Sequence, residues 1–181
     1  MFGTILQAEP LDLVRGMLIG AAVMDTLRGI MHSWFVRHAA TNIFKGIPTT
    51  PPNIDADNNF MTVMAAFGYS NFQTGALNLS IALYAPHLAA PALVIFPSCL
   101  ALAMVGLHMP WNEYQDSPAE KNGKYMMGGY LTVCFLTGTF YLIDPSLVGT
   151  WFFYYAVPII CISMGLFSRG VNRVKTKTRS E

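Results

Sequence analysis

Five apolar stretches, separated by segments rich in proline and charge, set the pattern of the chain. A helix needs about 17–25 mostly apolar residues to cross the hydrocarbon core of a bilayer. The pattern predicts such helices over about residues 13–36, 60–84, 88–109, 125–142 and 151–167, forming one all-α transmembrane bundle of about five spans. Between the first two, Pro48, Pro51 and Pro52 break the chain, and the reading extends that break through Asn59, because proline removes a helical donor and disfavours helix before itself. A short interfacial helix over about residues 39–47 precedes the break. Ala85-Pro86-His87 reads as a tight turn into the third span, which has Pro91 near its start and Pro97 placed to kink it. Trp111 reads as an interface marker. The five charges between Asn112 and Lys124 predict a solvated loop, Ile143-Asp144-Pro145-Ser146 breaks the fourth span from the fifth, and about residues 168–181 read as a basic tail.

Composition supports this frame. The chain has 181 residues, 53% of them hydrophobic and 12% charged, with a mean hydropathy of +0.41. Average proteins are about 25% charged, so this chain is short of the charge that a water-facing surface carries. Its net charge of +1 argues against nucleic acid as a partner. Cys99, Cys134 and Cys161 all fall in apolar segments and read as packing residues. The first segment carries charge and lacks a short leader's cleavage site, so it reads as a retained helix that also directs targeting. In a topology of five spans, Arg15 lies on one face and nine of the eleven basic residues on the other, with Arg28 inside. The positive-inside rule then puts the N-terminus outside and the C-terminus in the cytoplasm. The expected location is an integral one, in a bacterial inner membrane or an organellar membrane.

Charge within the first segment is where chemistry is expected. Asp25, Arg28 and His32 fall at about 0°, −60° and −20° on a helix turning 100° per residue, so they share a face. Val23, Leu27, Ile30, Met31 and Trp34 form the opposite one. An ionised group at the centre of a spanning helix costs about 2.5–3.5 kcal/mol even on lenient scales. Asp25 and Arg28 are spaced to pair, and Arg28 and His32 are spaced to interact. On the second segment, Gly68, Asn71, Thr74, Gly75 and Asn78 make a stripe of small and polar residues that calls for a protein neighbour, since lipid offers no hydrogen bonds. Gly16 and Gly20 form a GxxxG pattern for close helix packing, and Arg15 is placed to snorkel outward. The candidate ligand- or partner-binding set is therefore Asp25, Arg28, His32, Asn71, Thr74, Gly75 and Asn78, with Asp25 and His32 as acid/base candidates.

Other constellations are weaker. His32, His38, Asp55 and Asp57 match no ligand spacing, and Asp55 and Asp57 read more simply as loop or capping residues. His32, His87 and His108 give no facing pair for haem. No metal or cofactor is expected. The basic residues from Arg169 to Arg179 read as membrane anchoring.

The run Leu27-Arg28-Gly29-Ile30-Met31-His32, the segment from Ala40 to Ile43, and Phe67-Gly68 with Asn71 and Gly75 resemble a family of small uncharacterised bacterial multi-span proteins. The resemblance covers about the first 110 residues. A longer proline-rich loop and a fifth span depart from the family pattern. The family has no settled function, so the resemblance implies only that Arg28, His32, Asn71 and Gly75 matter.

Two functions fit. The first is a non-enzymatic membrane subunit that packs against partner membrane proteins and lipid within a larger complex. The second is a membrane-embedded enzyme or proton-coupled carrier for a lipid-like molecule, a pigment included, working through Asp25, Arg28 and His32. Cavity shape separates them. A pocket touching all three side chains favours the second, and a dry Asp25–Arg28 contact favours the first.

Overall fold

The computed structural model describes residues 9–39, 54–107, 109 and 118–177, and its elements are all helical, with no strand among the described residues. Helix α1 is Pro10–Ser33, opened by a proline in its first turn and by Asp12, which favours the positive end of the helix dipole. It stops three residues before the expected boundary. The chain leaves helical geometry at Phe35 (φ −116°, ψ 35°), within a Trp-Phe-Val run of poor helix formers, and a single turn Val36–His38 follows. Beyond Ala39 the expected interfacial helix lies outside the described residues.

Helix α2 is Ile54–Tyr84 and begins six residues earlier than expected. The break is shorter than the sequence pattern implies: the prolines end at Pro52, and Asp55 and Asp57 suit a first helical turn. With 31 residues α2 is about 46 Å long at 1.5 Å per residue. The expected turn is a 3-10 segment, Pro86–Leu88, leading into α3, Ala89–Leu107, which contains Pro97. Helix α4, Pro118–Ile143, starts inside the stretch expected to be loop. Pro118 stands at its first position, where a missing donor is harmless, and Glu120 follows within the first turn. Helix α5 is Ser146–Trp151, a π-helical turn spans Phe152–Ala156, and α6 is Val157–Lys177, so helix continues through most of the expected basic tail.

Helices α1 and α2 lie antiparallel along much of their length. A Cβ at Gly29 would lie 2.8 Å from the Phe72 nitrogen, and one at Gly75 would lie 2.9 Å from the Ala22 carbonyl oxygen, so backbone meets backbone there. Gly68 is equally tight against His32 and Ser33. At Gly16 and Gly20, the expected packing motif, an added Cβ would meet nothing within 4 Å. The close approach predicted for α1 exists, but its glycine, Gly29, sits nine residues beyond Gly20, about two and a half turns further on, where it faces a glycine-bearing helix. Arg15 also departs from expectation. It donates from Nε to the Ala82 carbonyl at 2.7 Å, placing a cation at the C-terminal end of α2, where the dipole favours it.

The remaining core joins α1 to α3, α4 and α5 through Val14, Leu18, Ala89, Leu93, Cys134 and Val148. Gly138 lets α4 approach the Ala90 carbonyl of α3, and Gly129 lets it approach Ser163 of α6. Among the described residues, eight of the fifteen buried apolar ones are alanine, while Leu102, Ile143, Ile162 and Tyr154 are among the many large ones left exposed. Water-soluble folds bury their largest apolar side chains first, so this distribution is inverted. Within the same described set, the stretches Pro86–Gly106 and Ser146–Leu166 are long and apolar enough to cross a membrane, and Met127–Ile143 is a shorter apolar helix. Charge and amides dilute the apolar windows of α1 and α2.

Candidate functional site

The expected polar face of α1 is turned inward. Asp25 and His32 are buried and Arg28 is half-buried, whereas Val23, Leu27 and Trp34 on the other side are exposed. The amide stripe of α2 meets this face. Asn78 donates from Nδ2 to Asp25 Oδ2 at 3.4 Å, Arg28 donates from Nη1 to Asn71 Oδ1 at 3.4 Å, and Arg28 Nη1 stands 3.8 Å from Asp25 Oδ1. These distances lie at the long end of hydrogen-bonding range, where N–H···O contacts centre near 2.9–3.0 Å. Asn71 is itself positioned by donating from Nδ2 to the Phe67 carbonyl one turn back, at 2.8 Å.

Beside this seam is a cavity of about 260 Å³ between α1, α2, α3 and α4. Its polar lining includes Asp25, Arg28, Ser70, Asn71, Thr74, Asn78 and Tyr130, and its apolar walls come from residues such as Phe67, Phe96, Pro97 and Leu100. Helix α4 supplies three residues that spacing alone did not reveal. Tyr130 and Cys134, one turn apart, are hydrogen-bond neighbours near Asp25, and the Met127 sulfur accepts from Arg28 Nη2 at 3.0 Å. The only sequence signal for them is a tyrosine and a cysteine at i, i+4 in an apolar segment, which ordinary packing also produces.

Not every expected member lines the cavity. His32 packs its ring 5.5 Å from that of Phe67 and lies one turn beyond the cavity lining. Gly75 works behind the site, letting Thr26 and Ala22 of α1 approach α2. Thr74 does line the cavity, but its hydroxyl donates to the Ser70 carbonyl at 3.0 Å. The structure thus gathers Asp25, Arg28, Asn71, Thr74 and Asn78 and leaves His32 and Gly75 to the helix seam.

Asn78 carries the most informative detail. It is 2% exposed, and its Oδ1 has no hydrogen-bond partner among the described residues. Rotating the amide offers no remedy, because it would set Oδ1 against the Asp25 carboxylate. A buried acceptor left unsatisfied costs about 1–3 kcal/mol.

Comparison with known proteins gives no match: no family model, no curated protein and no solved structure is similar to the chain.

Proposed function

We propose that the chain is an integral membrane protein of about five spans that holds the polar end of a lipid-like small molecule in the cavity between α1, α2, α3 and α4. The observation that carries this reading is the lining itself, which reaches Asp25 and Arg28 though not His32: buried Asp25 and half-buried Arg28 with two amides at one end, and Phe67, Phe96 and Leu100 along the walls. A site of that kind suits an amphiphile, with a few placed polar groups orienting a mostly apolar ligand. Asp25 is the acid/base candidate that touches the cavity, so proton-coupled carriage would run through it. The membrane setting is supported by the exposed large apolar side chains and by the hydroxyl of exposed Ser80, which donates to the carbonyl four residues back at 2.8 Å, as a hydroxyl facing lipid does; half-buried Thr139 does the same. With the N-terminus outside, the basic end of α6 faces the cytoplasm, as positive-inside sorting favours in a bacterial inner or an organellar membrane.

The test is purification from the native membrane into nanodiscs followed by native mass spectrometry. One amphiphile enriched over bulk lipid, and lost in Asp25→Ala, is the expected result; bulk lipid alone in both proteins overturns the reading.

A second reading, a subunit packed against partner membrane proteins, is favoured by Gln73. This amide faces outward from the middle of α2, exposed and without a side-chain partner among the described residues. An amide directed at lipid alone is costly. A photo-crosslinker at position 73 should capture one partner protein in the native membrane, and adducts with lipid only would remove this reading.

A further inference from the structure

Resting on the partner reading above, we infer that the partner seated on α2 is a second copy of this chain, related by a two-fold axis along the membrane normal and met through Ala66, Tyr69, Gln73 and Ala76. These four are exposed and separated by three, four and three residues. At 100° per residue they span about 80° of the helix, on the side opposite Gly68, Gly75 and Asn78, which meet α1. Spacing that alternates three and four is the seam of a left-handed helix pair, whose axes cross at about +20°. Ser80 continues the line, its hydroxyl tied to the Ala76 carbonyl of its own helix and so accommodated against lipid or protein. Leu77 borders the seam on one side and Phe72 and Leu83 on the other, all exposed. Ala66 and Ala76 lie low between them, where a second helix can come close.

Helix α2 has both room for such a neighbour and need of one. It packs closely on α1 and little on any other helix. Among the described residues it is not one of the stretches apolar enough to cross a membrane by themselves. At the depth of Gln73 the outer face of α1 presents Val23 and Leu27, large and apolar as a lipid-facing surface is. The outer face of α2 presents instead an amide that lipid cannot satisfy. That the occupant is a copy follows from complementarity. An amide carries one acceptor oxygen and two donor hydrogens, so Gln73 is complementary to itself. A two-fold axis normal to the bilayer sets the same residue at the same depth on both chains, where each amide donates to the oxygen of the other. The seam is otherwise neutral and offers no charge that a different partner would have to match. A contact of this kind closes on itself, so assembly stops at two.

The test is Förster transfer between full-length chains carrying a donor or an acceptor fluorescent protein after Glu181, in phosphatidylcholine proteoliposomes of varied protein-to-lipid ratio. Transfer should saturate, follow the acceptor fraction as a dimer requires, and fall when unlabelled chain competes. Gln73→Leu should raise the dissociation constant at least fivefold with the Tm of the dilute chain unchanged, because position 73 is exposed in the single chain. Gln73→Asn, which keeps an amide, should stay within threefold of the unsubstituted chain, and Gly20→Leu on the outer face of α1 within twofold. A chain that is monomeric at every ratio overturns the second-copy inference. Capture of a different protein by the photo-crosslinker at position 73 then leaves the partner reading standing, and adducts with lipid only remove both. A dimer undisturbed by Gln73→Leu, or broken equally by Gly20→Leu, sets the contact elsewhere and overturns the inference as well.

Discussion

The bundle satisfies buried polar groups in two contrasting ways. Between α4 and α5, Trp151 donates from Nε1 to Thr137 Oγ1 at 2.9 Å, and Thr137 donates onward to the Val133 carbonyl at 2.7 Å. That chain is short and ends on backbone, and the indole packs against the tilted ring of Phe140 on one side and the stacked ring of Tyr155 at the surface. Between α1 and α2, the contacts among Asp25, Arg28, Asn71 and Asn78 run from 3.4 to 3.8 Å, and one acceptor is left over beside a cavity. Both places are buried and polar. The first is closed and holds helices together, whereas the second is loose and leaves an acceptor unmatched beside open space.

The contrast can be attacked at several points. The largest effect is expected from Asp25→Ala, which strands the Arg28 charge and should cost about 3–5 kcal/mol, read as a fall in Tm in nanodiscs. Adding Arg28→Leu should restore much of that loss, and a double variant no more stable than the single one would defeat the ion-pair account. Next comes the seam behind the site. Gly68→Ala or Gly75→Ala forces a methyl into backbone and should cost about 1–3 kcal/mol by the same measurement, with binding of the proposed amphiphile weakened as α1 and α2 separate. Thr137→Val leaves the Trp151 donor buried and unmatched, for about 1–2 kcal/mol. Ligand affinity should hold in that variant, because the closed chain lies outside the cavity lining. The smallest effect belongs to Gly16→Ala and Gly20→Ala. With open space at both positions, helix propensity should make them neutral or stabilising by up to about 1 kcal/mol.

Some of this was legible from residue order. The inward face of α1 could be read because three ionisable groups at i, i+3 and i+7 cannot all face lipid, and the stripe on α2 could be read for the same reason. The start of α2 could not, since the proline rule loses its force beyond Pro52, where the acids that follow suit a helix N-terminus. The GxxxG pattern misleads because spacing says which glycines share a face and nothing about what that face meets. Gly29, Gly68 and Gly75 hold the contact, and no local motif joins residues on two helices. Tyr130, Cys134 and Met127 belong to the site only because α4 lies against α1, which is decided by tertiary packing.

The π-helical turn Phe152–Ala156 has a consequence for how the chain tolerates change in length. Its amide at Val157 reaches back five residues to Phe152 rather than four, and the buried positions Trp151 and Ala156 are five apart. The last helical segment therefore contains one residue more than an α-helix joining the same two contacts would need. Tyr154 and Tyr155 occupy the slack and are turned outward. Elsewhere in a packed helix a single deletion rotates everything downstream by about 100° and unseats the core. Here, loss of one residue from that turn would shorten it to ordinary α-helix with Trp151 and Ala156 still facing inward, making it a place in the bundle where the chain can lose a residue while the packing keeps its phase.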